Sequence, residues 1–371
     1  MSTAVRKLVH LIGFSALLIA LAAALNFAVD PLQLLRPARF YQPMYSNDTR
    51  MQNAGLIRSE DFDTVFMGTS LAIHFRQSDI DRILGVRSLK LAMTGSNSRE
   101  QSFVLAAALA RGPSRIIWQM DDWIFRDAPD IDHNDSFPAD LYRKNAKGVA
   151  GYLLSGAMAR ESLWTLARAA PPLRNLATRL TTDSLMKFAI PRVDDIHVLA
   201  PDFDVAQDYN AARARASFAY LTDPSRSAYL AEGYAFEAMV RNFERDAVDL
   251  IARHPDVAFD IYFPPYSILQ FVALRDASPA TLKIVYDFTG YVSRRLATFP
   301  NARLHDFRGA RQITHDLANY RDAIHHSPAI DLKVLSYLAD GTYLVDRTAP
   351  TAPLRWLQAQ VEAYRPETLA Q

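Results

Sequence analysis

The sequence contains no cysteine, which excludes disulfide bonds, thiolate metal sites and a cysteine nucleophile. An excess of one charge is also missing, because the formal net charge is +1 over 371 residues. Nucleic-acid-binding proteins carry a basic surplus, so we expect no nucleic-acid partner. Internal repeats and low-complexity segments are absent, while 50% of the residues are hydrophobic. That share allows a packed core and argues against global disorder.

The first 30 residues predict a cytoplasmic tip and a membrane anchor. Arg6 and Lys7 precede an apolar stretch over residues 8–29, in which His10 and Asn26 are the strongly polar side chains. About 22 helical residues at ~1.5 Å each span ~33 Å, which is enough to cross the hydrocarbon core. The segment therefore predicts one N-terminal transmembrane helix.

The side of the membrane follows from the basic residues, which stay on the cytoplasmic side of a span. We therefore expect a single-pass protein of the inner membrane, with residues 31–371 forming an extracytoplasmic, periplasmic domain. The alternative is a cleaved signal peptide, for which the small residues at 22–25 offer a processing site. The apolar run continues past them, and this favours a retained anchor.

Short apolar, β-rich runs that end in turn residues predict strands. The runs are Thr64–Met67, Ser88–Met93, Arg115–Met120, Ala258–Phe263 and Arg303–Phe307. Helical patterns lie between or after them: one with an N-cap at Ser98, one over 228–255 and a closing one over 328–340. This alternation predicts an α/β fold with a parallel sheet covered on both faces. Residues at about 127–225 do not follow it and are predicted to form a helical insertion.

The first predicted strand ends in the sequence Gly68-Thr69-Ser70. An ordinary turn is one interpretation, because glycine and serine both favour turns. The other is a serine nucleophile, because open α/β sheets bind their ligands at the carboxyl ends of the strands.

A serine nucleophile needs a base, and the base needs an orienting group. Three Asp-x-x-His pairs occur, at 130/133, 194/197 and 322/325. The first two fall in the predicted insertion, whereas Asp322 and His325 follow the last predicted strand and precede the closing helix. We therefore predict that Asp322 orients the His325 ring and that the other ring nitrogen faces Ser70.

A second glycine turn follows the next strand, in the sequence Thr94-Gly95-Ser96-Asn97. The backbone N–H of Gly95 is a candidate oxyanion donor together with that of Ser70. A helix-capping turn is the alternative interpretation. Asp121, after the third strand, cannot supply a donor when it is ionised, because a carboxylate only accepts hydrogen bonds.

These motifs, in this order, resemble the SGNH/GDSL hydrolase superfamily over roughly residues 61–345. Carried over residue by residue, the resemblance makes Ser70 the nucleophile, Gly95 an oxyanion donor, and Asp322 and His325 the acid–base pair. The Gly-Asp-Ser of the family is Gly-Thr-Ser here, and the asparagine donor of its third block has no counterpart. Asn97 is the candidate substitute for that donor. The resemblance implies an SGNH-like three-layer fold.

With the anchor, the sequence looks most like membrane-tethered SGNH-like proteins of the cell envelope, such as DltD-like proteins of teichoic-acid D-alanylation and proteins of alginate O-acetylation. This resemblance implies serine-dependent acyl transfer onto an envelope polysaccharide or other polymer, beside a membrane-bound O-acyltransferase partner and without metal or other cofactor. An SGNH-like carbohydrate esterase and a catalytically silent scaffold for a polysaccharide-modification complex are the alternatives.

Overall fold

The structure is a computed structural model that describes residues 2–41, 44–45, 49–126, 137–143, 145–169, 190–191, 209–226 and 230–366. Within these ranges the strands are β1 Met44–Tyr45, β2 Thr64–Met67, β3 Ser88–Lys90, β4 Arg115–Gln119, β5 Ile190–Pro191, β6 Ala258–Phe263 and β7 Ala302–Asp306. The α-helices are α1 Thr3–Val29, α2 Thr49–Ser59, α3 Ser70–Ile73, α4 Gln77–Leu84, α5 Ser98–Leu109, α6 Ala139–Tyr142, α7 Ala146–Leu154, α8 Gly156–Ala169, α9 Ala211–Leu221, α10 Phe236–Phe243, α11 Asp249–Arg253, α12 Ile268–Ala277, α13 Pro279–Leu296, α14 Arg311–Thr314, α15 Pro328–Asp340 and α16 Ala352–Ala363.

The chain divides into two compact units. Unit 1 comprises Met1–Glu60 and Asn134–Leu199, and unit 2 comprises Asp61–His133 and Ala200–Gln371. Much of the predicted insertion lies outside the described ranges, namely residues 127–136, 144, 170–189 and 192–208. The insertion and the domain boundary at residue 30 stay predictions.

Helix α1 of unit 1 is 27 residues long and begins after Ser2, whose hydroxyl accepts the backbone N–H of Val5. By length and composition it is able to cross a membrane, as a single-pass anchor requires. The end of α1 contacts α7 and α8 within the same unit. Whether α1 is retained, and which side of the membrane the rest of the chain occupies, stay predictions.

In unit 2, five parallel strands form one sheet in the order β3-β2-β4-β6-β7. If these five strands alone are numbered 1 to 5 along the chain, their order in the sheet is 2-1-3-4-5, which is found in doubly wound α/β proteins. The strand order reverses at β2. Ligands of such sheets bind outside the carboxyl ends of the strands at the reversal, which here is the crevice between β2 and β4.

The strands of this sheet are continuous buried runs because both faces of the sheet are covered. Asp260 of β6 is a charged residue in this interior, and its carboxylate accepts hydrogen bonds from Arg115 of β4 and Arg303 of β7. Burial alone would raise the pKa of Asp260, but the two guanidinium groups lower it below its usual value. The charged side chain thus ties three neighbouring strands together.

The structure confirms the five predicted strands, with ends shifted by at most three residues, and the closing helix is α15. The pattern over 228–255 forms a helical run from α10 to α11, joined by a π-helical turn at Glu244–Val248. The predicted N-cap at Ser98 is wrong. Asn97 caps α5, because its side chain accepts the N–H of Glu100 (2.9 Å) while the Glu100 carboxylate accepts the N–H of Asn97 (3.3 Å). The Ser98 hydroxyl donates instead to buried Asp246, at 2.7 Å.

Candidate active site

Ser70 lies at the carboxyl end of β2, beside the reversal in strand order. The backbone turns through Gly68 and Thr69, and Ser70 is the first residue of the short helix α3. A Cβ at Gly68 would lie 2.5 Å from Oε1 of Gln119 and 2.6 Å from Cβ of Ala72, closer than atoms pack. The turn therefore needs glycine because of its neighbours, and it leaves the Ser70 side chain at a partly exposed position.

Asp322 and His325 lie in a tight loop before α15. The backbone N–H of Arg321 donates to the carbonyl of His325 across the loop, at 3.1 Å. Inside the loop, Oδ1 of Asp322 accepts the backbone N–H groups of Ile324 (2.8 Å) and His325 (2.7 Å). Asp side chains stabilise turns in this way. The turn explains why two residues three positions apart present their side chains on the same side.

The structure brings the three predicted residues into one hydrogen-bonded chain. Nε2 of His325 lies 2.9 Å from Oγ of Ser70, and Nδ1 of His325 lies 2.7 Å from Oδ2 of Asp322. The His325 side chain is 16% exposed and that of Asp322 is 31% exposed, so the site is reachable from solvent. A serine hydroxyl bonded to an imidazole that is itself bonded to a carboxylate is the arrangement that activates serine as a nucleophile.

Asp322 is held in its ionised form. Burial alone would raise its pKa, but hydrogen bonds from the His325 ring and from two backbone N–H groups lower the pKa below its usual value. A carboxylate in this state fixes the N–H of the imidazole on Nδ1, which leaves Nε2 free of its proton to accept that of Ser70.

The segment that carries Ser70 and the loop that carries Asp322 and His325 pack on the same hydrophobic core. Ala72 and Phe75, just after Ser70, belong to one buried cluster with Tyr320 and Ile330, which flank the Asp322–His325 loop. The Tyr320 hydroxyl also donates to the carbonyl of Pro265, at 2.6 Å. Close packing of this kind holds the serine and the histidine at a fixed separation.

Asp121, which follows β4, is the component of the site that the sequence did not predict. Its buried carboxylate accepts hydrogen bonds from the Thr69 hydroxyl (2.9 Å), from Nε2 of Gln119 (2.7 Å) and from the hydroxyl of Tyr266. Oε1 of Gln119 in turn accepts the backbone N–H of Thr69, at 3.4 Å. Thr69, the residue before Ser70, is thus held by hydrogen bonds from both its side chain and its backbone.

Burial raises the pKa of Asp121 to about 6, with a smaller contribution from the neighbouring charge of Asp122. One signal for this residue was present in the sequence, because Asp121 directly follows a predicted strand and the carboxyl ends of parallel strands share one edge of the sheet. Its partner Tyr266 is 145 positions away, and that contact could not be predicted from local patterns.

The second glycine turn lies where the sequence predicts, after β3. The backbone N–H of Met93 donates to the carbonyl of Gly68 at 2.9 Å, so the two glycine turns leave adjacent strands side by side. Gly95 is exposed and adopts a left-handed conformation with φ +63°. Asn97 serves as the helix cap described above. An additional role of Gly95 or Asn97 in holding an oxyanion stays a prediction.

Within the described ranges, no cluster of three or more His, Asp or Glu side chains is placed to hold a metal ion. Comparison with known proteins supplies no family: no protein-family model matches the chain, and no curated protein matches it in sequence.

Proposed function

We propose that the protein is a membrane-anchored, SGNH-like O-acyltransferase that modifies an envelope polysaccharide or polymer through Ser70, His325 and Asp322. The observation that carries the proposal is the hydrogen-bonded chain between these residues at the strand-order reversal. The order of the motifs along the chain, from the serine turn to the second glycine turn to the Asp-x-x-His loop, adds the resemblance to the SGNH superfamily.

In the first half-reaction, Oγ of Ser70 attacks the carbonyl carbon of an acyl donor while Nε2 of His325 takes the hydroxyl proton. Asp322 stabilises the imidazolium that forms. The backbone N–H groups of Ser70 and Gly95 hold the oxyanion, with the side-chain amide of Asn97 as a third donor; such donors contribute roughly 2.7–4 kcal/mol each in comparable sites. The tetrahedral intermediate collapses, His325 returns the proton to the leaving group, and the acyl group remains on Ser70.

In the second half-reaction, His325 accepts the proton of an incoming polysaccharide hydroxyl. The hydroxyl oxygen attacks the acyl-Ser70 carbonyl, and the new ester leaves as the proton returns to Oγ of Ser70. The same site with water as the acceptor would be a carbohydrate esterase, so the identity of the acceptor separates the two activities.

The proposed location is the inner membrane, with the site on the periplasmic side. Arg6 and Lys7, which lie in α1 just before its apolar stretch, support this orientation, since basic residues remain on the cytoplasmic side. An acyl donor on the outer face of the membrane then has to be supplied locally, and a membrane-bound O-acyltransferase is the class of partner that performs this delivery.

The test is the ester content of the envelope polysaccharide in cells whose only copy carries Ser70→Ala or His325→Ala. We expect both variants to abolish acylation with normal protein level and membrane location. His254→Ala is the matched control, because His254 precedes β6 and therefore lies at the opposite, amino edge of the sheet. A rise in ester content in Ser70→Ala cells would instead identify an esterase. Fully acylated polymer with unchanged ester content would support the silent scaffold.

A further inference from the structure

The one amide side chain in the apolar stretch of α1 is bonded to a helical hairpin. Asn26 is fully buried, and its Nδ2 donates to the carbonyls of Leu153 (2.8 Å) and Ser155 (3.1 Å). Its Oδ1 accepts the hydroxyl of Ser162, at 3.0 Å. These bonds join the end of the anchor to α7 and α8. We call these two helices the α7–α8 hairpin and residues 148–159 its tip.

The position of Asn26 along α1 sets the depth of the tip. Asn26 lies 19 residues after Lys7, which corresponds to about 28 Å along a helix, close to the ~30 Å thickness of the hydrocarbon core. It also precedes Val29, the last residue of α1, by three positions or about 4.5 Å. The tip is therefore fixed at the level where the acyl chains meet the lipid headgroups, if Lys7 marks the other boundary.

The tip has the composition of a segment that enters this boundary. Residues 148–159 contain no charged side chain, and Leu154 at the end of α7 is 56% exposed. The nearest charges along the chain on either side are both basic, Lys147 and Arg160, and both side chains are exposed. Nζ of Lys147 also pairs with Oδ2 of Asp140, at 2.8 Å. Interfacial helices bury an apolar surface ~5–10 Å deep and keep basic residues at the level of anionic headgroups.

The chain leaving α1 fixes the hairpin a second time. Asp30 has a left-handed backbone (φ 50°), and its buried carboxylate accepts the Tyr152 hydroxyl of α7 at 2.9 Å. The same carboxylate accepts the backbone N–H groups of Leu34, Leu35 and Arg36 at 2.9–3.0 Å. Because Asn26 and Asp30 both bond to the hairpin, the hairpin cannot swing away from the anchor without breaking both sets of bonds.

We propose that the tip of the α7–α8 hairpin inserts into the leaflet from which α1 emerges and forms a second contact with the lipid surface. Leu154 and its apolar neighbours enter the acyl boundary, and Lys147 and Arg160 bind anionic lipid headgroups. The inference rests on the proposed membrane anchor and is independent of the proposed acyl transfer. Its consequence is that unit 1 is held at one tilt to the bilayer, since a single helix would leave it free to pivot.

The absence of cysteine from the sequence permits a direct test with single-cysteine variants of the full chain. Leu154→Cys reports on the tip, Lys147→Cys on its basic border, and Leu17→Cys, at an exposed position in the middle of α1, on the anchor. Each variant is labelled with an environment-sensitive fluorophore in lipid nanodiscs that contain anionic phospholipid. Quenching by iodide in the water and by nitroxide-labelled lipid is then measured.

We expect the probe at residue 154 to be quenched by the labelled lipid and to be at least about threefold less accessible to iodide than the probe at residue 147, because it lies below the headgroups. The probe at residue 17 should be quenched by lipid alone. If residue 17 is in lipid and residue 154 is as accessible to iodide as residue 147, the hairpin proposal is overturned while the anchor stands. A probe at residue 17 that iodide reaches would overturn the anchor and the hairpin together.

Discussion

Two glycine turns leave adjacent strands at the same edge of the sheet, but they need glycine for opposite reasons. Gly68, before Ser70, is enclosed by Gln119 and Ala72, and its φ is not in the left-handed region. Gly95 has open space around it and a φ of +63°. The serine side of the site is thus fixed by packing and buried hydrogen bonds. The second turn depends on the left-handed backbone of Gly95 and is open to solvent.

The largest effect is expected from Gly68→Ala, because the added methyl overlaps two neighbours in a close-packed interior. We expect the free energy of unfolding to fall by about 3 kcal/mol, the upper part of the range for overpacking. Labelling of Ser70 by a serine-directed fluorophosphonate should be lost as the turn shifts. Denaturant titration of the solubilised protein measures the loss of stability. The control is Gly151→Ala, because Gly151 lies on an open helical surface. A loss below about 1 kcal/mol would show that the turn has room.

Asp121→Asn tests the buried hydrogen bonds of the serine turn. An amide replaces one acceptor oxygen by a donor, so it cannot accept from Tyr266 and also from both Gln119 and Thr69. We expect a loss of about 1–3 kcal/mol for the unsatisfied groups. Fluorophosphonate labelling should slow about tenfold if the loss displaces Ser70, since such reactions depend on sub-ångström placement. If the variant is destabilised but is labelled at the normal rate, Asp121 supports the fold and does not position Ser70.

The same substitution predicts a pH effect with a definite sign. Because burial raises the pKa of Asp121 to about 6, the folded state binds this proton more tightly than the unfolded state does. The contribution of the group to stability is therefore greatest below pH 3.8 and declines as the pH rises through about 6. The stability difference between wild type and Asp121→Asn should change over this window. A difference that is constant from pH 4 to 7 would contradict the raised pKa.

Gly95→Ala should have a smaller effect, since only the backbone conformation resists the side chain. A left-handed alanine costs about 1–2 kcal/mol, and the methyl meets no atom within 4 Å. We expect that loss in thermal unfolding, with normal membrane insertion. A destabilisation as large as that of Gly68→Ala would remove the distinction between the two turns.

Two substitutions of Asn97 distinguish its role as helix cap from its proposed role as an oxyanion donor. Asn97→Ala removes both and should cost about 1 kcal/mol of stability. Asn97→Ser keeps a capping oxygen and loses the side-chain amide, so stability should change by only a few tenths of a kcal/mol. If the amide holds the oxyanion, both variants slow the labelling of Ser70 by about 10²-fold or more. Equal rates in Asn97→Ser and wild type would leave Asn97 with the cap alone.

The site was predictable where chemistry coincides with the ends of strands. Parallel strands place their carboxyl ends at one edge, so Ser70 and the Asp322–His325 loop could be assigned to that edge without coordinates. Asp121 was missed as a support because its partners come from β2, β4 and the segment after β6, which only the folded sheet brings together. Ser98 was taken for the N-cap because serine and asparagine are both good caps. The choice depended on Glu100, three positions after Asn97.

Covalent labelling of the protein with a fluorophosphonate, mapped by mass spectrometry, shows whether Ser70 is an activated nucleophile. Such probes phosphonylate a serine only when its hydroxyl is activated by a neighbouring base. We predict modification at Ser70, none in Ser70→Ala, and a rate reduced by about 10⁴-fold in Asp322→Asn, where the orienting carboxylate is lost. A folded protein that remains unmodified, or one that is modified at another serine, would contradict this prediction.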